Sequence, residues 1–183
     1  MDRRQKKTRK SIFEAFTGLL SEKDYYHITV ADIIERADVG RATFYSHFET
    51  KDFLLKELCE ELFCHIFDAA ENKGSDHSHI FSCDPPNSVF LHLFMHFYKN
   101  DNNILRLLSS RNNELFFGYF KIYLKKLVES QLPVLRQNIS DKLPESFIIN
   151  HVVSVFIATL RWWVDNDLKV SPETITQYFY LAV

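Results

Sequence analysis

The sequence predicts an all-α protein of about nine helices, and three observations carry that prediction. Its 183 residues include only 4 Gly and 5 Pro, too few turn-formers for a chain built of short strands. Its apolar residues recur over long stretches at helical spacing rather than in alternation. Hydrophobic residues make up 46% and charged residues 25%, the balance of a globular chain with room for one or two small domains.

Ile12, Phe13, Phe16, Leu19 and Leu20 form one face of a first helix, from about residue 4 to 21. After a polar stretch, Thr29 precedes Val30, Ile33, Ile34 and Ala37. Thr29 with Asp32 three residues later reads as an N-cap and an acidic first turn, opening a short second helix that ends near Ala37. Asp38-Val39-Gly40 is a tight connection, with Gly40 the residue expected to supply a positive φ. A third short helix covers 41–48. Thr50 caps a long fourth helix whose apolar set is Phe53, Leu54, Leu58, Leu62, Ile66 and Ala70. Residues 73–87, with Gly74 and Pro85-Pro86, break the pattern and are expected to form a loop. Later helices are expected near 87–100, 102–110, 112–131, 144–166 and 172–182, punctuated by Pro133, Pro144 and Pro172.

Several chemistries are excluded at once. Gly18, Gly40, Gly74 and Gly118 lie more than twenty residues apart, so neither a dinucleotide fingerprint nor a phosphate-cradling loop can be built. There is no G-x-S-x-G elbow, H-E-x-x-H or CxxC pair, and no enzyme or cofactor is expected. Cys59, Cys64 and Cys83 are odd in number, which fits reduced thiols and a cytoplasmic protein. The longest uncharged apolar candidate, 147–160, falls short of the ~20 residues that span a bilayer, so no membrane partner is expected. The net charge of −2 hides an asymmetry: Arg3, Arg4, Lys6, Lys7, Arg9 and Lys10 against Asp2 give the first ten residues +5. Positive charge at a helix N-terminus opposes the macrodipole, so its benefit must come from a polyanion nearby or from plain solvation.

The informative segment is TVADIIERADVGRATFYSHFETKDFLL, from Thr29 to Leu55. Two short helices joined by a Gly-containing turn match a helix-turn-helix, although an ordinary helical hairpin would show the same periodicity. Around the third helix, Phe44, Tyr45 and Phe48 share one side and are expected to pack inward. Ala42, Thr43, Ser46 and His47 share the other, with the small and hydrogen-bonding groups that a major groove admits.

This segment resembles the DNA-binding head of the tetracycline-repressor (TetR/AcrR) family of transcription regulators. The matching residues are Thr29, Val30, Ile33, Ala37, Val39, Thr43, Phe44, Tyr45, His47, Phe48, Lys51 and Leu54. The resemblance implies a DNA-binding domain at 1–51 and a regulatory and dimerisation domain at 52–183. It implies that Thr43, Tyr45 and His47 touch DNA from the recognition helix, and that Thr29 and Lys51 meet phosphate at the starts of helices two and four. Arg41 and Ser46 occupy variable positions: Arg41 reads guanine bidentately or meets phosphate or solvent, and Ser46 reads a base or nothing.

The carboxy-terminal part is similar to a TetR subgroup with a Trp-Trp-rich helix followed by a Ser-Pro-Glu helix start, here Trp162-Trp163 and Ser171-Pro172-Glu173. Helices near 144–166 and 172–182 would then form a four-helix homodimer interface, one tryptophan facing the partner and the other the interior. The partners implied are double-stranded operator DNA, a second copy of the chain and a small-molecule or protein effector. Ligand release of a repressor is the family's usual mode; activation, a protein partner or metal sensing are the alternatives. His92, His96, Arg106, Phe116, Tyr119, Tyr123, His151, Arg161 and Trp162 lie on helices that would line the family's ligand cavity, as do Tyr98 and Phe120. Most phenylalanines at helical spacing are, however, simple core. His92 and His96, at i and i+4, have metal-ligand spacing, as do His77, His79 and Cys83 with Cys64, but neither set is a recognised closed site and no metal is assigned.

Overall fold

A computed structural model describes residues 3–70, 88–99, 103–109, 114–136, 139–140 and 142–183. Among these the chain is helical without strands. Helix α1 is Arg3–Glu22, α2 Val30–Ala37, α3 Arg41–His47, α4 Lys51–Ala70 and α5 Val89–Lys99. Helix α6 is Ile104–Ser109, α7 Glu114–Leu135, α8 Glu145–Asp165 and α9 Pro172–Ala182. A single 3-10 turn, Tyr25–His27, fills the stretch that reads in sequence only as polar. The expected loop at 73–87, with His77, His79 and Cys83, lies outside the described residues.

The first three helices, with the start of α4, make the amino-terminal head. Helix α1 buries Ile12, Phe13, Phe16, Leu19 and Leu20, the face its spacing predicts, and packs along α2. The two approach closely at Gly18, where a Cβ would stand 3.0–3.1 Å from the Arg36 guanidinium. Glycine at that point lets Arg36 cross α1 and reach Glu22 at 2.6 Å. Helix α2 starts in a complete capping box. Thr29 Oγ1 accepts from the Asp32 N–H at 3.1 Å, and an Asp32 carboxylate oxygen accepts from the Thr29 N–H at 2.6 Å, satisfying two orphan donors reciprocally.

The turn after α2 differs from expectation. Its left-handed residue is Asp38, at φ 52° and ψ 49°, while Gly40 is extended at φ −73° and serves as N-cap of α3. Aspartate tolerates the left-handed region better than most side chains, so the turn closes two residues earlier than the glycine suggests. Pro133 likewise fails to stop α7, which runs on to Leu135. So near the end of a helix a proline forfeits one hydrogen bond with little left to break.

The remaining helices enclose an aromatic core. Helix α4 packs on α5 and α7, α7 on α8, and α9 on both α5 and α8. Phe94 stacks on Phe156 at 4.6 Å, Phe90 meets Phe179 at 4.8 Å, and Phe97 meets Phe120 edge-on at 5.7 Å, within the range of favourable aromatic pairs. Trp163 is fully buried and donates its indole N–H to the Val170 carbonyl at 2.9 Å. Trp162, ~100° round the helix, is about half exposed.

Helix α8, at 21 residues, is longer than its uncharged apolar stretch and passes the length and composition test for crossing a membrane. Ile148, Val152, Phe156, Leu160 and Trp163 on it are buried within the fold, as in the core helix of a bundle.

Candidate nucleic-acid interface

Helix α3 is held by one deep anchor. Phe44 is fully buried, 5.9 Å from Phe48, which in turn meets Phe13 of α1 edge-on at 5.4 Å. Tyr45 departs from the expected inward set: it is 45% exposed, with the Arg41 guanidinium 5.9 Å from its ring. A seven-residue helix has one inward position per turn, and Phe44 takes it. Arg41, Ala42, Thr43, Tyr45 and Ser46 are therefore all exposed, with His47 partly so.

These side chains form a cleft with the start of α1. Arg4, Gln5 and Thr8 face Thr43, Ser46 and His47 across an open space of about 360 Å³. The basic arm and the recognition helix thus share one surface. Gln5 and Thr8 were not singled out by sequence, since only the α1–α3 crossing brings them there. The Ser46 hydroxyl donates to the Thr43 carbonyl at 2.7 Å, which leaves its oxygen as an acceptor. Arg9 does not belong to this surface. It is paired with Glu57 and lies 3.4 Å from Glu61, with its guanidinium over the rings of Phe13 and Phe48, clasping α1 to α4.

Lys51 is part of the frame of the head. Its Nζ donates to the Tyr25 carbonyl at 2.9 Å and to the Ile28 carbonyl at 2.8 Å, and it stands 4.1 Å from the centre of the Tyr25 ring. An ammonium has three donors, and these two carbonyls take two of them. Burial lowers its pKa, against the opposing pull of Asp52 and Asp32. The Tyr25 hydroxyl donates to Asp52; burial first, and then that carboxylate, raise the phenol far above its usual range. Thr29 is committed to its capping box. Asp32 titrates well below the usual carboxylate range because Lys23, and then Thr29, hydrogen-bond its charged form.

Among the described residues, the sequence-predicted effector residues are spread over α5, α6, α7 and α8. His92 and His96 are buried on α5, and Phe116 is buried on α7. Tyr119 is partly buried, and the Tyr123 hydroxyl donates to Glu60 of α4 at 2.9 Å. His151 is exposed and stacks on Phe147. Arg161 lies over Phe117 at 4.3 Å, in an open cleft between α7 and α8 with Lys121 and Ser154. Trp162 is on a different surface, lining a shallow apolar groove with Val155, Ile175, Tyr178 and Ala182. Arg106 is on α6, its side chain outside the described residues. Tyr98 is half exposed and stacked on Trp163, and Phe120 is core.

His92 and His96 have a third neighbour that sequence did not single out. His65 of α4 stands 5.0 Å, ring to ring, from each of them. Burial, followed by His96, His65 and Lys99, pushes the His92 pKa from 6.5 down to about 3.

A small helical head that turns a short helix outward beside a basic helix terminus defines the class of helix-turn-helix DNA-binding proteins. The comparisons narrow this further. Residues 12–58 match the model for bacterial regulatory proteins of the tetR family. Residues 84–183 match the model for a transcriptional regulator C-terminal region, TetR_C_8. A TetR transcriptional regulator from Streptococcus agalactiae 2603V superposes with a TM-score of 0.73 at 38% identity, covering 98% of this chain and 95% of that one. The chain belongs to the TetR family of transcriptional regulators.

Two further relatives match over part of the chain. The HTH-type regulator YxbF of Bacillus subtilis (strain 168) is 39% identical over 71 residues, 36% of this chain and 19% of its own length. The dhaKLM operon transcriptional activator DhaS of Lactococcus lactis subsp. lactis (strain IL1403) is 34% identical over 70 residues, 38% of this chain and 35% of its own length. Each match therefore spans well under half of the relative's length. The fatty acid degradation regulator FadR from Bacillus halodurans, at 19% identity and a TM-score of 0.64, shares the fold. These relatives are transcriptional regulators rather than enzymes.

Proposed function

We propose that this regulator acts as a homodimer that binds an inverted-repeat operator through α3 and represses transcription until an effector held by residues 52–183 releases it. The observation that carries the reading is the outward set on α3, Arg41, Thr43, Tyr45, Ser46 and His47, of which Thr43, Ser46 and His47 share a cleft with Arg4 and Thr8 of the basic arm. Thr43 and Arg41 are the base readers. Tyr45, His47 and the third donor of Lys51 meet phosphate, with Thr29 fixing the start of α2 beside them.

One recognition helix reads only a few base pairs, and two heads one DNA turn apart (~34–36 Å) make a usable palindromic site. The face of α8 and α9 that carries Trp162, Tyr178 and Leu181, exposed by 48%, 46% and 85%, is the surface the second copy covers. Apolar groups this exposed favour burial in an interface. Localisation in the cytoplasm follows from a DNA-binding role.

Activation is the second reading, favoured by the likeness of a 70-residue stretch to DhaS, a transcriptional activator. A protein partner in place of a small molecule fits either mode.

Selection of bound duplexes from a random DNA pool, repeated with Thr43→Ala, tests the reading. The expected result is an enriched inverted repeat that is lost or altered in the variant. No enrichment at low salt by wild-type protein, with or without cell extract, overturns it. Fusing the selected operator to a reporter then separates repression from activation by the sign of the response.

A further inference from the structure

We propose that His65, His92 and His96 form a binding site for one borderline divalent metal ion, of the zinc class, that ties α4 to α5. Three of the chain's eight histidines meet here from two helices. Their rings form a nearly equilateral triangle, with centroids 5.0, 5.0 and 4.9 Å apart. One ligand nitrogen from each lies within 4.8 Å of the others.

The pair on α5 has the spacing an ion needs, and the ion would replace the hydrogen bond the two rings share. The Nε2 atoms of His92 and His96 are 3.2 Å apart, and two imidazoles at ~2.0–2.1 Å from one tetrahedral zinc stand about 3.3 Å apart. Closing His65 onto the same point takes about 1.5 Å, within reach of side-chain rotation. Imidazole nitrogen suits zinc, copper and nickel, and with no carboxylate or backbone oxygen in the set it discriminates against magnesium and calcium. Three protein ligands leave one position for water or an exogenous group.

The site sits where it can be felt at the head. His65 lies fourteen residues along α4 from Lys51, about 21 Å at 1.5 Å per residue, and Lys51 carries the carbonyls of Tyr25 and Ile28. Metal that fixes α4 against α5 therefore selects one setting of the head. This last step rests on the DNA-binding reading above; the site itself does not.

Titration of the chelator-treated full chain with Co²⁺, followed by Zn²⁺ competition, tests the site. The expected result is one ion per chain, with the visible absorption of a four-coordinate Co²⁺ centre that Zn²⁺ abolishes. Binding should weaken at least about tenfold in His65→Gln, a variant at a partly buried position whose fold is checked by its thermal melt, and be lost in His92→Gln. The double variant His77→Gln, His79→Gln should bind as wild type. Absence of saturable binding, or binding that survives in His65→Gln but fails in the 77/79 variant, overturns the site. Operator affinity is then measured with and without Zn²⁺, with a change expected in wild type and none in His65→Gln. An unchanged wild-type affinity removes the regulatory step. One bound ion without any operator binding leaves the site standing and removes the DNA-binding reading instead.

Discussion

Asp38 carries the strained conformation of the helix-turn-helix, and the consequence is measurable. Its left-handed backbone costs a β-branched residue roughly 1–2 kcal/mol, so Asp38→Val should lower the unfolding free energy by that amount, read as an earlier urea midpoint, while Asp38→Gly should not. Gly40→Ala should fold normally, because its Cβ would meet nothing closer than Thr43 Oγ1 at 3.6 Å. Thr29→Ala removes the capping box and should cost about 1 kcal/mol. The sequence made the Thr29 cap legible because both partners lie within four residues. The left-handed residue was not legible, since the turn offers Asp38 and Gly40 and only the path of the chain decides between them. Nor were the partners of Arg9, Tyr25 and His65, which join residues far apart in the chain.

At the scale of the helix, α4 links the two halves of the molecule. Lys51→Ala removes the ammonium from the Tyr25 and Ile28 carbonyls of the turn between α1 and α2, of which Tyr25 still accepts from the Ile28 N–H, a loss of about 1.5–3 kcal/mol for bonds to a charged group. The variant should therefore melt earlier as well as bind all DNA sequences more weakly, and a smaller salt slope would isolate the phosphate contact from the folding defect. If Lys51→Ala leaves melting, affinity and salt slope unchanged, the placement of α4 at the DNA is wrong. Helices α8 and α9 carry the other test at this scale. Trp162→Glu and Leu181→Glu alter groups already exposed in the protomer, so the fold should survive while sedimentation shifts from dimer to monomer. The uncharged apolar stretch at 147–160 marked most of α8. It did not say which tryptophan turns outward; the hydrogen bond from Trp163 to Val170 decides that.

For the molecule as a whole, the buried histidine cluster sets a direction for acid stability. Unfolded His92 takes up its proton near 6.5, whereas the folded residue, faced by His96, His65 and Lys99, does so only near 3. The unfolded state therefore binds more protons between those values, and stability falls as pH drops from 6.5 towards 3. Thermal melts across that range should show the decline, and His92→Gln should flatten it. The all-helical class was readable in the scarcity of glycine and proline and in the apolar spacing. The assembly of the effector region was not, because the same phenylalanine pattern fits core and cavity alike, and Phe94, Phe97, Phe120 and Phe156 would be buried in either.

The clasp of Arg9 on Glu57 and Glu61, with the bond from Tyr25 to Asp52, bears on how such proteins can be recombined. A split between 51 and 52 would pass through the joint it is meant to avoid, stranding Arg9 and Tyr25 without their carboxylates. The unit of exchange is longer by three turns of helix. A chimera that moves this head onto another regulatory body should carry the chain through Glu61, and hybrids cut at 51 should be poorly folded whatever body receives them.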